Sequence, residues 1–151
     1  MIHNARYAHI NIIARDWVSL ANFYKSVFGC VFVPPERNYS GATLEAGTGV
    51  VNATLQGVHL RLPGYGSTGP TLEIYTYSQL ASSLEPAVNR PGLAHLAFEV
   101  PSVERARREV LASGGSAVGE IVTLTTSEGK QVTWCYVTDP EGNIIELQAW
   151  G

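Results

Sequence analysis

Two parts of this 151-residue chain repeat at one offset, and that repeat limits the folds open to it more than any other feature. His95 follows His9 by 86 positions, and Gly115 follows Gly29 by the same 86. Each histidine sits in a short apolar run, Tyr7 to Ile13 and Leu93 to Val100, whose alternation of large apolar with small or polar residues has the period of a β-strand. Each run then leads into a helix with a capping residue: Asp16 before Trp17 to Phe28, and Ser102 before Val103 to Ser113. Gly29 and Gly114-Gly115 stand where those helices stop.

Three strands are expected after each helix. In the first half they are Cys30 to Val33, halted by Pro34-Pro35; Ala53 to Leu62, with a bulge or slip of phase at Gly57; and Thr71 to Tyr77, after a turn over Pro63 to Pro70. In the second half they are Ala117 to Thr125, Gln131 to Val137 and Asn143 to Ala149, parted by turns at Ser127 to Gly129 and Asp139 to Asn143. The register of the repeat breaks later, because His9 lies 64 residues before Glu73 whereas His95 lies 51 before Glu146. An insertion of 13 residues at about 40–52, with one or two helical turns in Ser40 to Gly49, accounts for the difference. The buried stripe of the first helix is expected to be Leu20, Tyr24, Val27 and Phe28 with Phe23, and that of the second Val103, Ala106, Val110 and Leu111. The chain is thus expected to be one domain, residues 1–151, of two modules: 1–78 and 92–151, with a connector over 79–91.

The repeat also pairs side chains that can bind metal. In each half a histidine stands on the first strand, His9 or His95, and a glutamate on the last, Glu73 or Glu146. If the copies are related by a pseudo-twofold axis, the four side chains meet there and offer two nitrogen and two oxygen donors. That mixed set suits Zn, Ni, Co, Mn or Fe, and suits calcium poorly. By alternation Asn11 shares the face of His9, Tyr75 and Tyr77 that of Glu73, and Gln148 that of Glu146, while Trp134 and Tyr136 share one side of their strand. Asn11, Tyr75, Trp134, Tyr136 and Gln148 are therefore candidates to line a substrate pocket. Arg61 or His59 could face an anionic group, although a solvated surface position is the plainer reading of both.

Composition excludes other classes. Ten Lys and Arg, spread along a chain of net charge −3, form no basic patch for nucleic acid. There is no apolar run of about 18 residues, and the first residues lack the pattern of a secretory leader, so no membrane partner and a cytoplasmic location are expected. Cys30 and Cys135, in apolar strands without CxxC spacing, read as two packed thiols.

Several stretches resemble the vicinal oxygen chelate superfamily, which includes glyoxalase I, methylmalonyl-CoA epimerase, extradiol dioxygenases and bleomycin-resistance proteins. They are His9-Ile10-Asn11-Ile12 with Asn22-Phe23-Tyr24-Lys25-Ser26-Val27-Phe28-Gly29, then Gly92-Leu93-Ala94-His95-Leu96-Ala97-Phe98, and Asp139-Pro140-Glu141-Gly142-Asn143-Ile144-Ile145-Glu146-Leu147. The resemblance implies an α+β fold of two βαβββ modules forming a curled mixed sheet around a metal-bearing cavity, with His9, Glu73, His95 and Glu146 as ligands of a divalent ion. Its pattern is similar to that of glyoxalase I or the epimerases, which implies a metal-dependent lyase or isomerase that removes a proton α to a carbonyl, with Glu146 or Glu73 as base. The alternatives are an extradiol Fe(II) dioxygenase, disfavoured by a fourth ligand at Glu73, and a non-catalytic drug-binding protein, disfavoured by four intact ligand positions. A small-molecule substrate is implied in each case, and a homodimer is an arrangement open to such a chain.

Overall fold

The computed structural model describes residues 3–151; Met1 and Ile2, at which the first module is expected to begin, lie outside the described residues. The chain divides into two compact units between Ser82 and Ser83. The fold is α+β, with two βαβββ modules that each form a four-stranded mixed sheet.

The first unit runs β1 (His9–Ile13), α1 (Trp17–Phe28), β2 (Val31–Ser40), α2 (Ala42–Thr48), β3 (Thr54–Arg61) and β4 (Thr71–Tyr77). Its strands lie in the order β1-β4-β3-β2, with β1 parallel to β4 and the other pairs antiparallel. α1 starts where it does because the Asp16 carboxylate accepts hydrogen bonds from the Val18 and Ser19 amides at 3.0 and 3.1 Å, satisfying donors that the first turn leaves orphaned. It ends at Gly29, whose φ of 69° is cheap only for glycine. Leu20, Ala21, Phe23 and Tyr24 are buried, with Val27 and Phe28 half-buried beside them.

Cross-strand pairing builds the core beneath that helix. Leu60 lies opposite Leu72, and Val58 and Ile12 both lie opposite Ile74, all of them buried. Each such side chain contributes roughly 1.5–3 kcal/mol on leaving water. The alternation that sends these residues inward turns His9, Asn11, His59, Glu73 and Tyr75 to the other face.

Two expectations for this unit need correction. β2 does not halt at Pro34-Pro35 but continues to Ser40. It is an edge strand, and the prolines fall within a break of register between Val33 and Arg37, where no ladder bond is required of them. The irregularity expected at Gly57 therefore lies in its neighbour: Val33 pairs with His59 and Arg37 with Gly57, while Gly57 stays in regular register with Tyr75. Glycine is needed there for another reason. A Cβ at Gly57 would stand 2.0 Å from the Ile74 carbonyl oxygen and 2.5 Å from the Tyr75 ring.

The second unit runs β5 (Leu96–Glu99), α3 (Val103–Ala112), β6 (Ser116–Thr125), β7 (Gln131–Thr138) and β8 (Ile144–Trp150), in the order β5-β8-β7-β6 with β5 parallel to β8. The Ser102 hydroxyl caps α3 by accepting from the Arg105 amide, and Val103, Val110, Cys135, Val137, Ile145 and Leu147 make the core. Leu111, expected in the buried stripe, is exposed, because a ten-residue helix buries only the line through Val103 and Val110, two turns apart. The strand expected from Leu93 begins at Leu96, so His95 stands just ahead of β5. No described helix is long and apolar enough to cross a membrane.

Candidate functional site

β8 is aimed by the turn before it. The buried Asp139 carboxylate accepts from the amides of Glu141 and Asn143 at 2.9 and 3.0 Å and from the Asn143 side chain at 2.8 Å. β8 then starts at Ile144, and alternation sends Ile145 and Leu147 into the core and Glu146 to the opposite face. There His95 Nε2 lies 3.1 Å from Glu146 Oε2. Tyr136, the cross-strand neighbour of Glu146, packs its ring 5.2 Å from that of His95, and Trp134 meets Tyr136 edge-on at 5.0 Å. Burial, aided by the Glu146 charge, pushes the Tyr136 hydroxyl above its ordinary pKa. Gln148 pairs with Trp134 one step along this face.

The first unit presents the matching pair. His9 opens β1 and Glu73 is the third residue of β4, with His9 Nδ1 3.4 Å from Glu73 Oε1. Asn11 is cross-strand from Glu73, and its side-chain amide donates to the Glu73 carbonyl at 3.2 Å, which ties β1 to β4.

His59 joins this pair, contrary to the solvated reading. Directly opposite Glu73 on β3, it brings Nε2 to 3.3 Å from Glu73 Oε1 and 2.6 Å from the Tyr75 hydroxyl. Its own burial holds His59 below the usual histidine pKa, with Glu73 opposing and Arg37 and His9 reinforcing that effect. Tyr75 is pushed up to about 12 by burial and then by the Glu73 charge. A signal for His59 existed in the sequence: residues 59 and 73 are equidistant from Gly66 in the Pro63 to Pro70 turn, and a hairpin centred there puts them side by side. Arg61, by contrast, donates to the Gly69 carbonyl and lines a separate cavity of about 480 Å³ with Val31, Val33 and Leu62.

Among the described residues, no three or more His, Cys, Asp or Glu side chains are already grouped as a metal site. The second unit offers one imidazole–carboxylate contact, His95 with Glu146, and the first offers two to Glu73, from His9 and from His59; the spacing of the repeat-matched pairs suits a metal. Bonds of about 2.0–2.2 Å at tetrahedral or octahedral angles leave adjacent ligand atoms roughly 3.0–3.5 Å apart, and the distances within the two pairs, His9 to Glu73 and His95 to Glu146, are 3.4 and 3.1 Å. Imidazole nitrogen with carboxylate oxygen is a donor set for divalent transition ions.

A family model described as the Glyoxalase/Bleomycin resistance protein/Dioxygenase superfamily matches residues 6–147. The chain belongs to that superfamily. Solved structures of superfamily proteins share its fold. A glyoxalase family protein from Bacillus cereus superposes with a TM-score of 0.76 at 18% identity, covering 99% of this chain and 95% of its own. One from Enterococcus faecalis gives 0.61 at 24% identity, covering 97% and 99%. A glyoxalase/bleomycin resistance protein/dioxygenase family enzyme from Burkholderia phytofirmans gives 0.56 at 16%, covering 96% and 98%. No curated protein sequence matches the chain. Most members of the superfamily are enzymes, many bind divalent metals, and small molecules are their usual ligands.

Proposed function

We propose that the chain is a divalent-metal-dependent lyase or isomerase of the glyoxalase I type, which removes a proton from the carbon α to a carbonyl. The observation that carries this reading is the imidazole–carboxylate pair at the matching place in each module: His9 with Glu73, and His95 with Glu146. These four residues would hold one ion, drawn from Zn, Ni, Co, Mn or Fe; that both pairs serve the same ion rests on their equivalent positions in the repeat and on the superfamily. When bound, the ion supplies positive charge beside the substrate's vicinal oxygens and stabilises the negative charge that develops there.

The residues then divide the work. Glu146 accepts the α proton on a carboxylate oxygen and returns it to the neighbouring carbon, so no external oxidant is required. The contacts favour Glu146 over Glu73 in this role, because Glu73 Oε1 is shared by two imidazoles whereas Glu146 meets His95 alone among the described histidines. In the second unit Tyr136 and Trp134 pack in series beside His95, with Gln148 next along the face; in the first, Asn11 ties β1 to the Glu73 strand and Tyr75 meets His59.

Protein purified without chelator, analysed for metal and screened against glutathione hemithioacetals, acyl-CoA epimers and catechols, tests the reading. Turnover of a hemithioacetal or an acyl-CoA epimer that is lost in Glu146→Gln supports it. Oxygen consumption with catechols that survives Glu73→Gln would replace it with a dioxygenase. Failure to take up metal would leave a binding protein, whose ligand the Trp134–Tyr136–His95 ring series would pack against.

A further inference from the structure

Glu73 and Glu146 occupy equivalent places in the two modules, yet their cross-strand neighbours differ. Opposite Glu146 on β7 is Tyr136; opposite Glu73 on β3 is His59. We propose that His59, held in a single tautomer by Arg37, is a positioning residue that fixes the direction in which Glu73 presents its carboxylate. This rests on the reading of Glu73 as a metal ligand.

A guanidinium can only donate hydrogen bonds. Arg37 Nη2 lies 3.4 Å from His59 Nδ1, so Nδ1 must accept, and the neutral ring carries its hydrogen on Nε2. The Tyr75 hydroxyl oxygen meets that nitrogen at 2.6 Å, and Glu73 Oε1 lies 3.3 Å from the same nitrogen, so the positive end of the N–H dipole stands beside the carboxylate. Arg37 is anchored in turn, because its Nη1 donates to the Pro35 carbonyl.

The register of the sheet explains why the group can assemble. Arg37, Gly57 and Tyr75 form one row across β2, β3 and β4, and Val33, His59 and Glu73 form the next. With no side chain at Gly57, the Tyr75 ring settles over the middle strand and Arg37 reaches diagonally to His59. The break at Pro34-Pro35 sets Arg37 in the row it needs. Three sequence features without a role in the metal reading, the proline pair, Gly57 and His59, thereby acquire one. Carboxylates that ligate metals are commonly held by partners outside the metal's own ligand shell, and losing one typically costs about 10- to 100-fold in metal affinity.

The test uses the full chain, first without metal. Long-range proton–nitrogen NMR of histidine-labelled protein should show His59 with hydrogen on Nε2 alone, and Arg37→Ala should convert it to a mixture of tautomers. Three-bond couplings should show one Glu73 rotamer in the wild type, averaging in His59→Phe, and a single rotamer again in His59→Gln, whose amide nitrogen stands near the place of Nε2. A hydrogen on Nδ1 in the wild type, or a Glu73 rotamer indifferent to His59→Phe, would overturn the proposal.

Cobalt(II) alone is then titrated by calorimetry. His59→Phe should weaken binding about 10- to 100-fold, with His59→Gln within a few-fold of wild type; equal loss in both variants would count against a positioning role. Absence of cobalt uptake by the wild type would overturn the metal reading, while the metal-free NMR would still decide what His59 does.

Discussion

Gly57→Ala tests whether close approach of the strands, rather than backbone freedom, fixes this position. An alanine would gain about 0.5–1 kcal/mol by reducing the entropy of the unfolded chain. Against this, the new Cβ would stand 2.0 Å from the Ile74 carbonyl oxygen and 2.5 Å from the Tyr75 ring. The ring can rotate aside, but the carbonyl belongs to a strand tied into the ladder on both sides. β3 and β4 must part locally, and overpacking of this kind costs typically about 1–3 kcal/mol, more where backbone has to move. With the cost in the upper part of that range because backbone has to move, the net expectation after the entropy gain is a loss of about 1–2.5 kcal/mol, or a fall in Tm of roughly 2–10 °C for a chain of this length. Calorimetry and urea unfolding read it directly. Gly47→Ala is the matched control: it lies within α2, with nothing within 4 Å of the added Cβ, and should raise stability by about 0.5–1 kcal/mol. If Gly57→Ala were as stable as wild type, the reasoning from close approach would be wrong. The same substitution should also displace Tyr75 and release His59, visible as tautomer averaging by NMR.

Asp139→Ala removes three hydrogen bonds from a buried carboxylate and should cost about 2–3 kcal/mol; urea unfolding checks this, and a loss below half a kcal/mol would mean the turn holds without it. Cys30, whose thiol burial pushes up to about 11, should have about one molecule in a thousand as thiolate at pH 8; mass spectrometry after iodoacetamide should find it unmodified until denaturant is added. Hydrogen bonds from Ser19 and Val18 hold Asp16 below the usual carboxylate range, so its contribution to stability should be complete above the ordinary aspartate pKa and fade as pH falls through the lowered value. Comparing wild type with Asp16→Ala between pH 2 and pH 6 tests the sign: a difference that grew as pH fell would contradict it.

Much of this fold could be read from local chemistry. Asp16 and Gly29 bound α1 because a capping carboxylate and a left-handed glycine act on their own neighbours, and the Asp139 to Asn143 turn is legible for the same reason. The 86-residue offset carried that reading from one module to the other. What escaped depends on partners distant in sequence. β2 runs past two prolines because it lies at a sheet edge, a fact of strand order. His59 looked like a surface residue until hairpin register placed it opposite Glu73. Leu111 fits the helical period but lies off the short line that α3 buries. His95 stands outside the strand expected for it, yet still reaches Glu146.

In the proposed site His9, Glu73, His95 and Glu146 serve one divalent ion. Cobalt(II) titration of the metal-free protein, followed by calorimetry and the visible spectrum, tests it most directly. One ion per chain is expected, with tight binding lost on substituting alanine at either glutamate. Two ions per chain, or full affinity retained in Glu146→Ala, would contradict it.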